Sequence, residues 1–479
     1  MSYQVPQHID SDKVFIVNRS EIENRLDPLY YGSDFTKFFK HPYSVRLKDV
    51  CINFSSGFGA GKNEQTSKDD GYIQIRPTNI DNDGFLKYEK NVYVPLHKGV
   101  LFVKKGTVLF NNTNSQEWVG KTALFMDDAQ LYTSNHITSI SVDSNKLIAD
   151  YLWIVLNVYQ RNKVFYSICT NWNNQSGVGI DLLQSVKVPI LPISTQQEIV
   201  DYYLSTYNEK QKKESEAQQL LESIDTYLLN ELGVSLPKYH TDLKDRIFTI
   251  TRKTIDNRWD PYYSQNYFRD AFAALESCNY PIVNLKSIAK LITSGITPKS
   301  GGDAYTEDKE IGVPFVRSGN ISIEGELAFE DLLYLKPEIH EKLMRSSQLQ
   351  KNDILIAIVG ATIGQVGIYP YDSEANINQA IALVRLKDGY NVQFIKELIK
   401  SSIGQLSLNR LKRPVARANI NLEEISTIKV VLPPLHKQQE IANHILEIRK
   451  QAKVLQEEGK NILEEAKQEV EKMIIGDNV

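Results

Sequence analysis

The glycine-rich run Gly57-Phe58-Gly59-Ala60-Gly61-Lys62-Asn63 has the residue types of a phosphate cradle, in which backbone N–H groups and a lysine surround a polyphosphate. Its first glycine stands one residue too close to the Gly-Lys pair, Asn63 replaces the Ser or Thr that would hold magnesium, and no clear helix follows. A turn bordering a binding surface fits better, because Thr293-Ser294-Gly295-Ile296-Thr297-Pro298-Lys299 occupies the matching place in a second half of the chain. The eight histidines form neither His-Glu-x-x-His nor a Cys/His ligand set, and His436 and His444 merely flank a helix start. A Gly-x-Ser-x-Gly elbow is missing, and the acidic pairs Glu423-Glu424 and Asp127-Asp128 read as helix starts or turns. The expectation is therefore no catalytic residue and no metal ligand set.

What remains is polar and repeated. Arg76 and Asn79 recur as Arg317 and Asn320, with Ser318 between them, and Ser134-Asn135-His136 recurs as Ile377-Asn378-Gln379. Arg pairs with guanine and Asn or Gln with adenine through two hydrogen bonds, so these residue types suit reading of base edges, as do Thr297 and Lys299 in the turn. The competing reading is that the amides cap turns inside each domain. Arg410, Lys412, Arg413 and Arg417 put four cations into eight residues around Leu411 and Pro414, a pattern suited to phosphates or simply to a solvated face. The other half has Asn171-Trp172-Asn173-Asn174-Gln175 there, richer in amides and poorer in charge. Asp27-Pro28-Leu29-Tyr30 and Asp260-Pro261-Tyr262-Tyr263 share residues with the Asp-Pro-Pro-Tyr of amino-methyltransferases. Both lack the second proline and have no cofactor loop upstream, so they read as structural corners.

These residues are positioned by a duplicated framework. Asn24-Arg25-Leu26-Asp27-Pro28 returns 233 residues later as Asn257-Arg258-Trp259-Asp260-Pro261; Tyr72 to Ile80 returns at Val313 to Ile321, offset 241; and Val186 to Ile199 returns at Ile428 to Ile441, offset 242. So long a period marks a duplicated domain rather than a solenoid. Tyr72 to Ile75, Val108 to Phe110, Pro314 to Val316 and Asp353 to Val359 read as short strands of a mixed α/β domain. Each copy closes with a proline-containing strand and a long polar helix, the first capped by Ser194 or Thr195 with Gln197 or Glu198 just inside. Heptad stripes run through Tyr203, Tyr207, Lys210, Glu214, Ala217, Leu221, Ile224 and Leu228, and through Ile441, Ile445, Ile448, Ala452, Leu455, Gly459, Ile462 and Ala466. Pairing of the two stripes is expected, against the alternative that each packs on its own domain.

Four hundred and seventy-nine residues suit two to four domains, and 55 basic against 59 acidic residues give a net charge of -4, so any polyanion site must be local. Three scattered cysteines and no long apolar run point to a reducing compartment, the cytoplasm, and to no membrane partner.

Two domains opening on Arg-x-Asp-Pro-x-Tyr, the second holding Ser294 to Pro298 and Phe315 to Ile321, then Leu432-Pro433-Pro434-Leu435 with Gln438-Gln439-Glu440-Ile441 before a long helix, resemble the specificity subunit of type I restriction-modification systems over nearly the whole chain. The first copy departs from this pattern at Leu191-Pro192-Ile193-Ser194. The resemblance implies an α/β (α+β) fold with two target-recognition domains, 1–194 and 246–436, and two long helices, 195–233 and 437–476, forming an antiparallel coiled coil, joined by a linker at 234–245. It further implies double-stranded DNA with a bipartite site as ligand. Methyltransferase subunits, two of them, and restriction/translocase subunits would be partners, holding S-adenosylmethionine, ATP and magnesium that this chain does not. A type IIB-like specificity subunit and a coiled-coil scaffold without DNA are the alternatives.

Overall fold

The structure, a computed structural model, describes residues 14, 16–22, 30–31, 36–39, 41–172, 175–239, 242, 247–251, 258, 260–299, 302–412 and 418–476. The chain divides into two compact units, Met1–Lys213 with Glu457–Val479, and Glu214–Gln456. They cut across the expected segments, since each unit takes part of both long helices.

The first unit is built on an antiparallel sheet ordered Cys51–Ser56, Ile137–Val142, Thr107–Asn111, Thr122–Phe125. The apolar run Thr107–Asn111 is buried throughout because both of its faces are covered. Val108 and Phe110 point into the core with helix Ala149–Arg161, while Leu109 between them points into a second core with Ile75 and Leu131. Ile75 and Leu131 belong to a smaller sheet, Val92–Val94, Tyr72–Ile75, Leu131–Thr133, whose last pair is parallel. Each such buried side chain contributes roughly 1.5–3 kcal/mol, and a charge in place of Leu109 would break both layers.

The second unit repeats this plan. Its sheet runs Ala289–Ser294, Ile381–Leu386, Ile354–Ala357, Val366–Ile368, and Ile354 and Ile356 face one core while Leu355 and Ala357 face another. The smaller sheet again ends in a parallel pair, Val313–Val316 with Asn376–Ile377. Even the irregularity recurs, since both edge strands slip register at their start, between Cys51 and Asn53 and between Ala289 and Leu291. The four strands read from the sequence are all present, and the tandem duplication is structural.

The long helices are Ile193–Leu232 and Leu435–Ile475. The first begins before Ser194 and Thr195, so these sit inside its first turn and the expected cap is corrected. The repeated glutamine plays a different part. Gln196, fully buried, accepts from the Ile148 N–H at 2.9 Å and donates to the carbonyls of Leu191 and Lys146 at 2.8 and 3.1 Å. Gln438 does the same in the second unit, accepting from the Asn391 N–H at 3.0 Å and donating to the Pro433 carbonyl at 2.8 Å. The amide clamps each helix start to the loop entering its domain's own helix.

In the first unit Lys213 meets Glu458 at 2.8 Å, and Lys210 and Lys467 converge on Asp83 at 3.1 and 2.9 Å. In the second, Lys437 meets Glu231 at 2.6 Å and Tyr227 lies 4.2 Å from the His444 ring. Rising numbers on one helix meet falling numbers on the other in each unit, so the helices pair antiparallel. Ala217, Ala452 and Gly459 keep the seam narrow, with Gly459 against Lys210. One stripe position is corrected, because Leu463 is buried and Ile462 only half-buried, so the seam continues through Leu463, Ala466 and Val470. Leu463, Val470 and Ile474 also join the first globular core, so that pairing and packing on a domain occur together.

Candidate nucleic-acid interface

The parallel strand pairs fix how the copies correspond. Ile75 lies opposite Thr133 and Val316 opposite Ile377, so Asn135 matches Gln379 and Ser134 matches Asn378. The correspondence expected from sequence was one residue out, and His136 has Ala380, not Gln379, as its counterpart. Gly57 and Gly295 sit where a Cβ would overlap the carbonyl oxygens of Thr133 and Ile377, so the glycine lets the loop cross the strand end. That close approach, rather than phosphate, explains the glycine.

In the first unit this crossing leaves a cleft of about 470 Å³ lined by Gly59, Ala60, Gly61, Glu64, Arg76 and Ser134 to His136. Its loop is pinned from beneath. Arg76 donates to the Ala60 carbonyl at 2.9 Å and to Gln74 Oε1 at 3.0 Å, and Gln74 Nε2 donates to the Phe58 carbonyl at 2.9 Å. Gln74 was not expected from sequence; its signal was an amide inside the apolar strand Tyr72–Ile75, buried without a charge. Asn135 presents an exposed side chain while its N–H bonds the Phe58 carbonyl, and His136 is half-buried beside it. Ser134 Oγ is buried at the cleft with no hydrogen-bond partner among the described residues.

The second unit places Thr297, Lys299, Asn378 and Gln379 together at the same crossing, where the Thr297 N–H donates to Gln379 Oε1 at 3.2 Å. Asn378 Oδ1 accepts from the Ala380 N–H at 3.2 Å, Lys299 is exposed, and Arg317 reaches away to the Asp331 carbonyl at 3.0 Å. Ser318 starts the 3-10 turn Ser318–Asn320.

Asn79 and Asn320 are corrections. Both are buried, and their Oδ1 atoms accept the N–H of Arg76 and Arg317 at 3.0 and 2.9 Å. Asn79 Nδ2 donates onward to the Lys87 carbonyl and Asn91. These amides close turns and cannot reach a base. Arg410 is a second correction: its guanidinium lies 3.9 Å over the Tyr263 ring, and its Nε donates to the Tyr263 carbonyl at 3.1 Å. It forms part of the wall of a 620 Å³ cavity with Phe272, as a weakly hydrated planar cation can, rather than standing free for phosphate. Lys412 donates to Asn409 at 2.8 Å, and burial lowers its pKa. Arg413, Arg417, Asn173 and Asn174 lie outside the described residues. Trp172 is exposed on the hairpin Thr170–Trp172 and Gln175–Gly177.

Asp260 is a structural corner, accepting from Arg258 at 2.9 Å and from the Tyr262 N–H at 3.0 Å, while Asp27 and Pro28 lie outside the described residues. Among the described residues no group of three or more His, Cys, Asp or Glu could hold a metal, and no helix is long and apolar enough to cross a membrane.

Two similar units, each with a polar loop crossing at the same sheet edge and each closed by segments of both long helices, describe a duplicated module. Residues 43–223 and 279–465 match the type I restriction modification DNA specificity domain, so the chain belongs to that family and carries its domain twice, the make-up of a specificity subunit. The type I restriction enzyme EcoBI specificity subunit of Escherichia coli is 31% identical over 160 residues, 33% of this chain and 33% of that one. The putative MjaX specificity subunit of Methanocaldococcus jannaschii is 22% identical over 445 residues, 90% of this chain and 91% of that one. A solved chain from a study of complex assembly and conformational transition in a type I restriction-modification system shares the fold, with TM-score 0.51 and 15% identity over 91% of this chain and 99% of its own.

Proposed function

We propose that each unit reads one half of a bipartite double-stranded DNA site, and that the chain brings methyltransferase subunits, two per chain, and restriction/translocase subunits to that site. The observation that carries this is the paired loop crossing. Asn135 and Gln379 occupy matching places on two copies of one scaffold, with His136 beside the first and Thr297, Lys299 and Asn378 beside the second. The scaffold is the same and the contacting residues differ, as reading two different half-sequences requires. The chain itself performs no chemistry in this reading, and S-adenosylmethionine, ATP and magnesium belong to its partners. Methylation mapping in cells that carry the chain with its methyltransferase tests it. Substitutions at 135 and 136 should alter one half of the methylated motif, and those at 378 and 379 the other; changes spread over both halves would contradict it.

A further inference from the structure

The loop between Val92–Val94 and Thr107–Asn111 in the first unit presents apolar side chains to solvent in a way nothing in the fold requires. His97 to Val100 form a β-turn, closed by the Val100 N–H on the His97 carbonyl at 3.2 Å, with Gly99 at φ 87° in its third position. Leu96 and Leu101 flank the turn and are 60% and 84% exposed, with Val100 between them also exposed. The tip is held on a rigid base. The His97 ring packs edge-on to Phe58 at 4.4 Å, the His97 backbone N–H donates to the Tyr132 hydroxyl at 3.2 Å, and Phe102 packs on Tyr132 at 4.6 Å. Phe58 belongs to the loop whose next residues, Gly59 to Gly61, wall the cleft with Asn135 and His136, so tip and cleft lie on one continuous surface.

Exposed lysines flank the tip, with Glu64 and Asp128 as the acidic neighbours. Lys62, Lys98 and Lys104 are exposed, and no ion pair with a carboxylate involves them among the described residues; Lys105 pairs only at 3.4 Å with the exposed Asp128. An apolar tip ringed by free ammonium groups suits a ligand that offers stacked flat surfaces between phosphates. We propose that Leu101, with Leu96, is a wedge that enters a base step of the first half-site and unstacks it, while Lys62, Lys98 and Lys104 hold the flanking phosphates. This rests on the DNA-reading function above. The matching loop of the second unit, between Leu333–Leu335 and Ile354–Ala357, is built differently: it holds helix Pro337–Glu341, whose His340 is buried against Asn376, and exposes a single leucine, Leu343 at 48%, in place of the more exposed pair Leu96 and Leu101.

The test uses the full chain assembled with its methyltransferase subunits on duplexes carrying 2-aminopurine at successive positions of the mapped site, outside the target adenines. One step in the half-site read through Asn135 should brighten on binding, with end-to-end fluorescence transfer reporting a bend of about 20–90°. In Leu101→Ala both signals should fall to those of free duplex, while binding to the same sequence persists; Leu101→Met should keep them. A wild-type complex that binds its site with every probed step stacked would overturn the wedge and leave the DNA reading standing. Failure of the wild type to prefer its site would overturn the DNA reading itself. Loss of methyltransferase assembly in Leu101→Ala would show that the tip is a protein contact, and the wedge would be wrong.

Discussion

Arg449 on the second long helix and Glu397 on helix Val392–Lys400 form a buried contact that holds this helix to the second unit, and its removal has a calculable cost. Glu397 is 3% exposed and takes two hydrogen bonds from the Arg449 guanidinium, at 2.7 and 3.0 Å, with Lys396 Nζ at 2.7 Å. Burial opposes the charge, but the two cations outweigh it and hold the carboxyl below the usual glutamate range. In Arg449→Ala the carboxylate keeps only Lys396. Breaking such a pair costs about 3–5 kcal/mol, and the surviving lysine places this variant near about 3. For a unit of this size that is roughly 6–12 °C in the melting of the second unit. The sign with pH follows from the depressed carboxyl: its contribution is present above the unfolded glutamate pKa near 4.5 and is lost as pH falls through the folded value. The gap between wild type and variant should therefore be widest at neutral pH and close below about pH 4.5. Calorimetry of the full chain across pH measures both. Replacing all three charges together, Glu397→Gln with Arg449→Met and Lys396→Met, should restore much of the loss, because no buried charge is then left without a partner. A neutral-pH shift within about 1 °C for Arg449→Ala, or a gap that widens in acid, would refute the reasoning.

Asn79→Ala and Asn135→Ala separate turn closure from base reading: the first should cost about 1–2 kcal/mol in thermal unfolding with an unchanged methylated motif, the second should leave the melting point alone and relax one position of one half-sequence. Inserting a heptad after Lys213 and another before its ion-pair partner Glu458 adds about 10 Å to each helix, or about 3 base pairs at 3.4 Å each, with the seam still in register. Methylation mapping should then show the same two half-sequences with a longer unspecified spacer, and an unchanged spacer would show that these helices do not set it. The purified chain alone should transfer no methyl group and should give no heat on titration with S-adenosylmethionine; binding in the absence of partner subunits would place cofactor chemistry in this chain.

The duplication and the main strands were legible because period-two burial writes itself into runs such as Val108-Leu109-Phe110 and Ile354 to Ala357, whatever the rest of the chain does. The site was legible only as residue types. Asn79 and Asn135 carry the same amide, and what separates them is burial. Asn79 gains its partners from Lys87 and Asn91, on a turn brought back over it by the fold. Arg410 likewise met an aromatic wall through Tyr263, 147 residues away. Gln196 and Gln438 announced themselves by repetition, yet their role was hidden because Lys146, Ile148 and Asn391 lie 47 to 50 residues upstream. The wedge loop gave no periodic signal at all, since exposure of Leu101 is a property of the folded surface.

The central claim is that one chain, carrying two copies of a recognition unit, specifies a split DNA site for enzymes that it does not itself contain. Single-molecule sequencing of DNA methylation in otherwise identical cells, with and without this chain and with the methyltransferase subunits present in both, tests it most directly. The account predicts one motif of two short specified half-sequences around an unspecified spacer, methylated only when the chain is present. Methylation of that motif persisting without the chain, or a chain-dependent motif that is not split in two, would contradict it.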